Sequence, residues 1–144
     1  MSEPLYVDVV RSSPIAHRRT FAFSVNPDKT SFLINDRVFD EGRTDVTVKL
    51  GETEEWTILN KDSQYHDFHI HQTGFLVTEV NRTPQISADY AIRSVFLPAR
   101  DGKAGEAKLI IPFTNPEIVG RFVFHCHVLK HEDKGMMMTV EVVQ

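Results

Sequence analysis

Six of the seven histidines of this chain, together with its single cysteine, fall in two short windows some fifty residues apart. The first, HDFHIH, supplies His66, His69 and His71; the second, FVFHCHVLKHEDKGM, supplies His125, Cys126, His127, His131 and Met136. A lone histidine on a strand is ordinarily a surface or satisfied core residue, but this grouping points to metal ligation. Side chains on a strand alternate between its two faces. Phe122, Phe124 and Cys126 therefore share one face, and Val123, His125 and His127 share the other. His69 and His71 share a face of their own segment, while His66, an odd number of residues earlier, faces the other way. If the two segments lie side by side, His66 joins Cys126 on one side and His69, His71, His125 and His127 collect on the other.

The two sets would do different chemistry. Two imidazoles, a thiolate and a weak thioether form the ligand set of a blue-copper electron-transfer centre. His66, Cys126, His131 and Met136 supply that set, and the spacing of the last three lets one loop wrap an ion. The other four histidines have no sulfur partner, and neutral imidazoles suit Cu, Zn or Fe. Glu132, beside His131, is placed to carry protons. A structural zinc site takes more cysteines than this chain owns. A cupin-type site would need an acid soon after His69-Ile70-His71, where the chain has Gln72, Thr73, Gly74, Phe75 and Leu76. A thiol nucleophile fails on strand geometry, because His125 and His127 point away from Cys126. Successive residues of the run Met136, Met137 and Met138 also diverge, so Met136 is the expected ligand and Met138 a core residue.

The elements that must hold these residues read as strands. Turn residues punctuate the chain at roughly 8–12-residue intervals between stretches rich in Val, Ile, Phe and Thr, the pattern of an all-β sandwich or barrel. Strands are expected at Thr20–Val25 and Ser31–Asn35, joined as a hairpin through Asn26-Pro27-Asp28-Lys29. Others are expected at Asp45–Leu50, Glu55–Asn60, Gly74–Val80, Ser94–Leu97, Glu106–Ile111, Gly120–Cys126 and Met138–Val143. Helical turns are expected only at Ile86–Ile92 and in the loop after Cys126. The residues up to about Ser13 read as an extra edge strand or the tail of a connection. Trp56 and the phenylalanines read as core aromatics, and His17, beside Arg18-Arg19, as a surface residue. With no internal repeat or linker, residues 1–144 read as a single Greek-key β-sandwich domain.

Composition narrows the field further. At 144 residues the chain suits one domain with a real core, and one cysteine excludes a disulfide framework. Its 16 Lys+Arg against 20 Asp+Glu leave a net charge of −4, without the clustered basic residues that neutralise phosphates, so no nucleic-acid partner is expected. No stretch approaches the ~20 apolar residues of a membrane span. The start, MSEPLYVDVVRSSP, has neither the basic nor the apolar region of a signal peptide.

HDFHIH followed by HCHVLKHEDKGM resembles the paired copper signatures of the C-terminal cupredoxin domain of multicopper oxidases, the laccase-like enzymes. The second motif matches the family pattern HCHxxxHxxxGM at every defined position. The first departs at Asp67, where the family usually has proline, and keeps the ligands. The likeness runs from about Phe32 through VTVKLGETEEWTILN to the end. It implies a cupredoxin-type sandwich with His66, Cys126, His131 and Met136 on a type 1 copper. It further implies His69 on a type 2 copper, His71, His125 and His127 on a type 3 pair, and Glu132 in proton delivery. The implied activity couples one-electron oxidation of a small-molecule or metal-ion donor, phenols among them, to reduction of O2 to water. The family's trinuclear centre needs four further histidines from an N-terminal cupredoxin domain, in the same longer chain or another chain, or across a homo-oligomer interface. The resemblance also implies an extracytoplasmic location. A rival from another class is a blue-copper carrier or copper-binding module using the type 1 site alone, for which the other four histidines have no purpose. Nitrite reductases of related fold lack this full set of type 3 histidines.

Overall fold

A computed structural model describes residues 10–85, 94–100, 102–126 and 135–144. The helical turn expected at Ile86–Ile92 and the loop after Cys126 lie outside the described residues, as does most of the N-terminal segment. Eleven strands are described: β1 (Ile15–Val25), β2 (Phe32–Ile34), β3 (Val46–Lys49), β4 (Glu52–Asn60), β5 (His66–Ile70), β6 (Leu76–Val80), β7 (Thr83–Pro84), β8 (Ser94–Leu97), β9 (Gly105–Phe113), β10 (Gly120–His125) and β11 (Met137–Val143). They form two sheets, ordered β2-β1-β4-β9-β6-β7 and β3-β11-β10-β5-β8. The molecule is a two-sheet β-sandwich, the all-β architecture expected from the sequence. Each expected strand is present, with ends moved by a few residues. The short strand β7 and a 3-10 turn at Pro116–Ile118 are additions.

Binary alternation builds the two inner faces. In β4, Trp56, Ile58 and Asn60 are buried while Glu55, Thr57 and Leu59 are partly exposed, and β10 buries Phe122 and Phe124 in the same way. Aromatic rings fill the space between the sheets: Trp56 of the first lies 5.2 Å from Phe124 of the second, and Phe21 lies 4.9 Å from Phe124. Tilted and edge-on ring contacts of this kind stabilise beyond the area they bury.

The first strand is longer than its apolar residues suggest. The hairpin β1–β2 pairs Phe23 with Ile34, but β1 starts at Ile15, through Ala16-His17-Arg18-Arg19. Its partner explains this. β1 runs parallel to the acidic start of β4, with Arg18 3.3 Å from Glu55, Arg19 2.7 Å from Glu54 and His17 3.7 Å from Glu52. A polar segment thus becomes a strand because the neighbouring strand carries the opposite charge.

Two glycines shape the connections that matter for the site. A Cβ on Gly105 would stand 1.8 Å from the carbonyl oxygen of Pro98, so only glycine lets β9 approach the chain leaving β8. Gly135 has φ of 101°, in the left-handed region, and its carbonyl accepts from the Phe39 and Met137 amides, which turns the chain into Met136 and β11.

Candidate metal centre

Register places the histidines. β5 is an inner strand of its sheet, between β8 and β10. It pairs Ile70 with Phe124 and His69 with His125 on one side, and His66 with Leu97 and His69 with Ser94 on the other. Paired residues share a face, so Phe68, Ile70 and Phe124 go to the core while His69 and His125 go to the outer side. His71 follows them outward, and at Gln72, with φ of 68°, the chain turns sharply away.

On the outer side His69, His71 and His125 each offer a ligand atom within 4.8 Å of the others. The Nε2 atoms of His71 and His125 are 3.0 Å apart. Their neighbours orient the rings: Ser94 Oγ lies 2.9 Å from His69 Nδ1, and the carbonyl of Cys126 lies 2.9 Å from His125 Nδ1. Such partners on the second ring nitrogen fix a ligating imidazole's orientation. His125 is buried and His71 exposed, and His69 and His71 line an open cleft of about 440 Å³ with Gln72, Asn115, Glu117 and Ile118.

On the core side the chemistry is different. Cys126 and His66 are both fully buried, with Cys126 Sγ 3.7 Å from His66 Nδ1. The Asp67 amide donates to the same sulfur at 3.4 Å. Met136 is buried too, and its carbonyl accepts from the Cys126 amide at 3.1 Å. His66 Nε2 is 2.9 Å from Asp62 Oδ2. Asp62 is in turn positioned by buried Asn60, whose Oδ1 accepts from the Asp62 amide and whose Nδ2 donates to the carbonyls of Gln64 and Leu97. Nitrogen and sulfur donors sit about 2.0–2.3 Å from a metal ion, so a buried thiol and imidazole at the observed spacing fit one borderline-soft ion such as copper. The three outer imidazoles fit copper as well.

Asp62 and Ser94 are absent from the motif-based reading. Neither has a local signal, since Asp62 sits in a loop and Ser94 reaches His69 only through the pairing of β5 with β8. His127, His131 and Glu132 lie outside the described residues.

Burial pushes His66 below the ordinary 6.5, and the Asp62 carboxylate opposes that shift. The unfolded chain therefore takes up a proton at this residue before the folded chain does. Its contribution to stability is complete above about pH 6.5 and is lost as pH falls from there toward the lowered folded value. Urea melts of the copper-free chain should show a lower midpoint at pH 5.5 than at pH 7.5, and His66→Gln should flatten part of that difference. An unchanged pH profile in His66→Gln would contradict the assignment.

Comparison with known proteins agrees with the fold. Residues 11–144 match the sequence model of a family described as multicopper oxidase. The chain is 37% identical over 115 residues to the multicopper oxidase mco of Staphylococcus aureus, covering 77% of this chain and 24% of that protein. It is 30% identical over 126 residues to a laccase of Bacillus subtilis, covering 76% and 24%. Among solved structures, a multicopper oxidase of Campylobacter jejuni described as a metallo-oxidase superposes with a TM-score of 0.76. That match has 25% identity and covers 92% of this chain and 31% of the other. The chain thus spans about a quarter of the length of the curated relatives it matches. Among the described residues no helix is long and apolar enough to cross a membrane.

Proposed function

We propose that this chain, which belongs to the multicopper oxidase family, carries one complete electron-accepting copper site and half of an oxygen-reducing copper cluster. His66, Cys126, His131 and Met136 would hold the first ion. His69 would hold a type 2 ion, and His71, His125 and His127 would serve a type 3 pair. Bound copper would supply one-electron chemistry at the first site and the four-electron reduction of O2 to water at the second. The cluster would be completed by four histidines of an N-terminal cupredoxin domain, in the same longer chain, another chain or a second copy. The domain assignment is likewise a single cupredoxin-like unit over 1–144, in an extracytoplasmic oxidase.

The supporting observation is a position, not a motif. Cys126, buried beside His66, is joined by one peptide bond to His125, which stands with His69 and His71 on the opposite side of the strand. The backbone is thereby a covalent connection between two sites whose side chains point apart. Burial keeps water from the Cys126 sulfur, and the ring partners Asp62 and Ser94 hold the imidazoles in place. Glu132, next to His131 in the sequence, would hold the protons that dioxygen reduction consumes. Small organic donors and low-valent metal ions are the expected electron sources.

Titration of the purified chain with Cu(II) tests the reading. An intense blue colour should develop and should be lost in Cys126→Ser; a copper-loaded but colourless chain would sink the type 1 assignment. Oxidase turnover by the monomeric chain alone would contradict the half-cluster.

A further inference from the structure

We propose that Asp67 is a positioning residue for the Cys126 sulfur through its backbone N–H, and that this donor raises the reduction potential of copper bound there. The proposal rests on the reading of Cys126 as a copper ligand. The Asp67 amide nitrogen lies 3.4 Å from Sγ and donates to it. Because Cys126 is fully buried, water does not compete for that donor. A hydrogen bond to a charged acceptor is stronger than one between neutral groups. Donation to a thiolate draws electron density from sulfur, which favours the reduced metal, and hydrogen bonding around the cysteine sulfur is one of the levers that set a blue-copper potential.

The side chain is not the acting part. β5 alternates, so with His66 and Phe68 buried the Asp67 carboxylate projects from the other face, where the residue is partly exposed and pairs with Phe96. The backbone amide is what distinguishes this chain from the resembling family's usual pattern, since proline at this position has no N–H to give. The departure from proline therefore adds a donor to the sulfur.

Two substitutions separate amide from carboxylate. Asp67→Ala loses the carboxylate and keeps the N–H; Asp67→Pro loses both. In the copper-loaded chain the reduction potential of Asp67→Pro should fall below that of Asp67→Ala, with a displaced copper–thiolate absorption band. Equal potentials in the two variants overturn the proposal. A copper-free measurement covers a proline variant that does not fold. In the isotopically labelled chain the Asp67 amide proton should exchange slowly, and its resonance should move in Cys126→Ala. An amide that exchanges as fast as an exposed loop amide, or a resonance indifferent to Cys126→Ala, overturns the proposal even if the chain turns blue with copper. Loss of the blue band from the unsubstituted chain would instead count against the proposed function, with the amide measurement still deciding this one.

Discussion

Arg19→Ala should destabilise the fold by about 3 kcal/mol, the low end of the range for removing one partner of a buried ion pair, because Glu54 is buried while Arg19 is only partly so. Glu54 is completely buried, and Arg19 grips it with two bonds, Nε to Oε1 at 2.7 Å and Nη2 to Oε2 at 3.1 Å. Trp56 Nε1 donates to the same carboxylate at 2.8 Å. Arg19 Nη2 also donates to the Thr47 carbonyl on β3, so one side chain of the first sheet ties down a strand of the second. Its loss strands a carboxylate among apolar rings, with a cost that is a large share of the roughly 5–15 kcal/mol stability of a domain. Glu54→Gln should cost less, because an amide keeps an acceptor for Trp56 and carries no charge to desolvate. Replacing both partners by well-packed apolar residues should recover much of the loss. Denaturant melts of the variants check the ordering; an Arg19→Ala midpoint within error of the unsubstituted chain would show that the pair contributes nothing.

A second large effect belongs to the outer histidines. In the Cys126→Ser background, which removes the sulfur ligand, Cu(II) should still bind at an imidazole site, and His125→Ala should weaken that binding by more than about 100-fold. Loss of an outer-shell partner alone typically costs 10–100-fold, and a ligand should cost more. His125 is the residue to change because it is buried, opposite His69 and 3.0 Å from His71 through the Nε2 atoms. His17, which meets Glu52 on the sheet that does not carry the cluster, supplies the control and should leave the titration unchanged. Calorimetric titration and the copper EPR spectrum read both. Equal affinity in His125→Ala and His17→Ala would remove His125 from the site.

How much of this was legible in the sequence depends on the range of the interaction. Strand alternation is local, so the burial of Phe122, Phe124 and Cys126 and the outward turn of His69 could be argued from spacing alone. The start of β1 could not, since His17, Arg18 and Arg19 look like loop residues until the acids of β4 lie beside them. Asp62 and Ser94 were hidden for the same reason. A carboxylate in a loop and a serine at a strand end gain meaning from the ring nitrogens they meet, and nothing near them in the chain announces those meetings.

The sequence by itself determined which donor side chains the chain offers, their division into a sulfur-bearing set and an imidazole set, and the all-β class, because residue chemistry and period-two alternation are properties of short segments. Only the tertiary structure decided that β5 lies against β10 in the register that sets His69 opposite His125 and brings His66 to the Cys126 sulfur. It also decided which atoms surround each of these side chains, down to the Asp67 amide on that sulfur. Register is chosen by the whole buried face at once: a slip of β5 by one residue would send His69 to the core and His66, Phe68 and Ile70 to the outside.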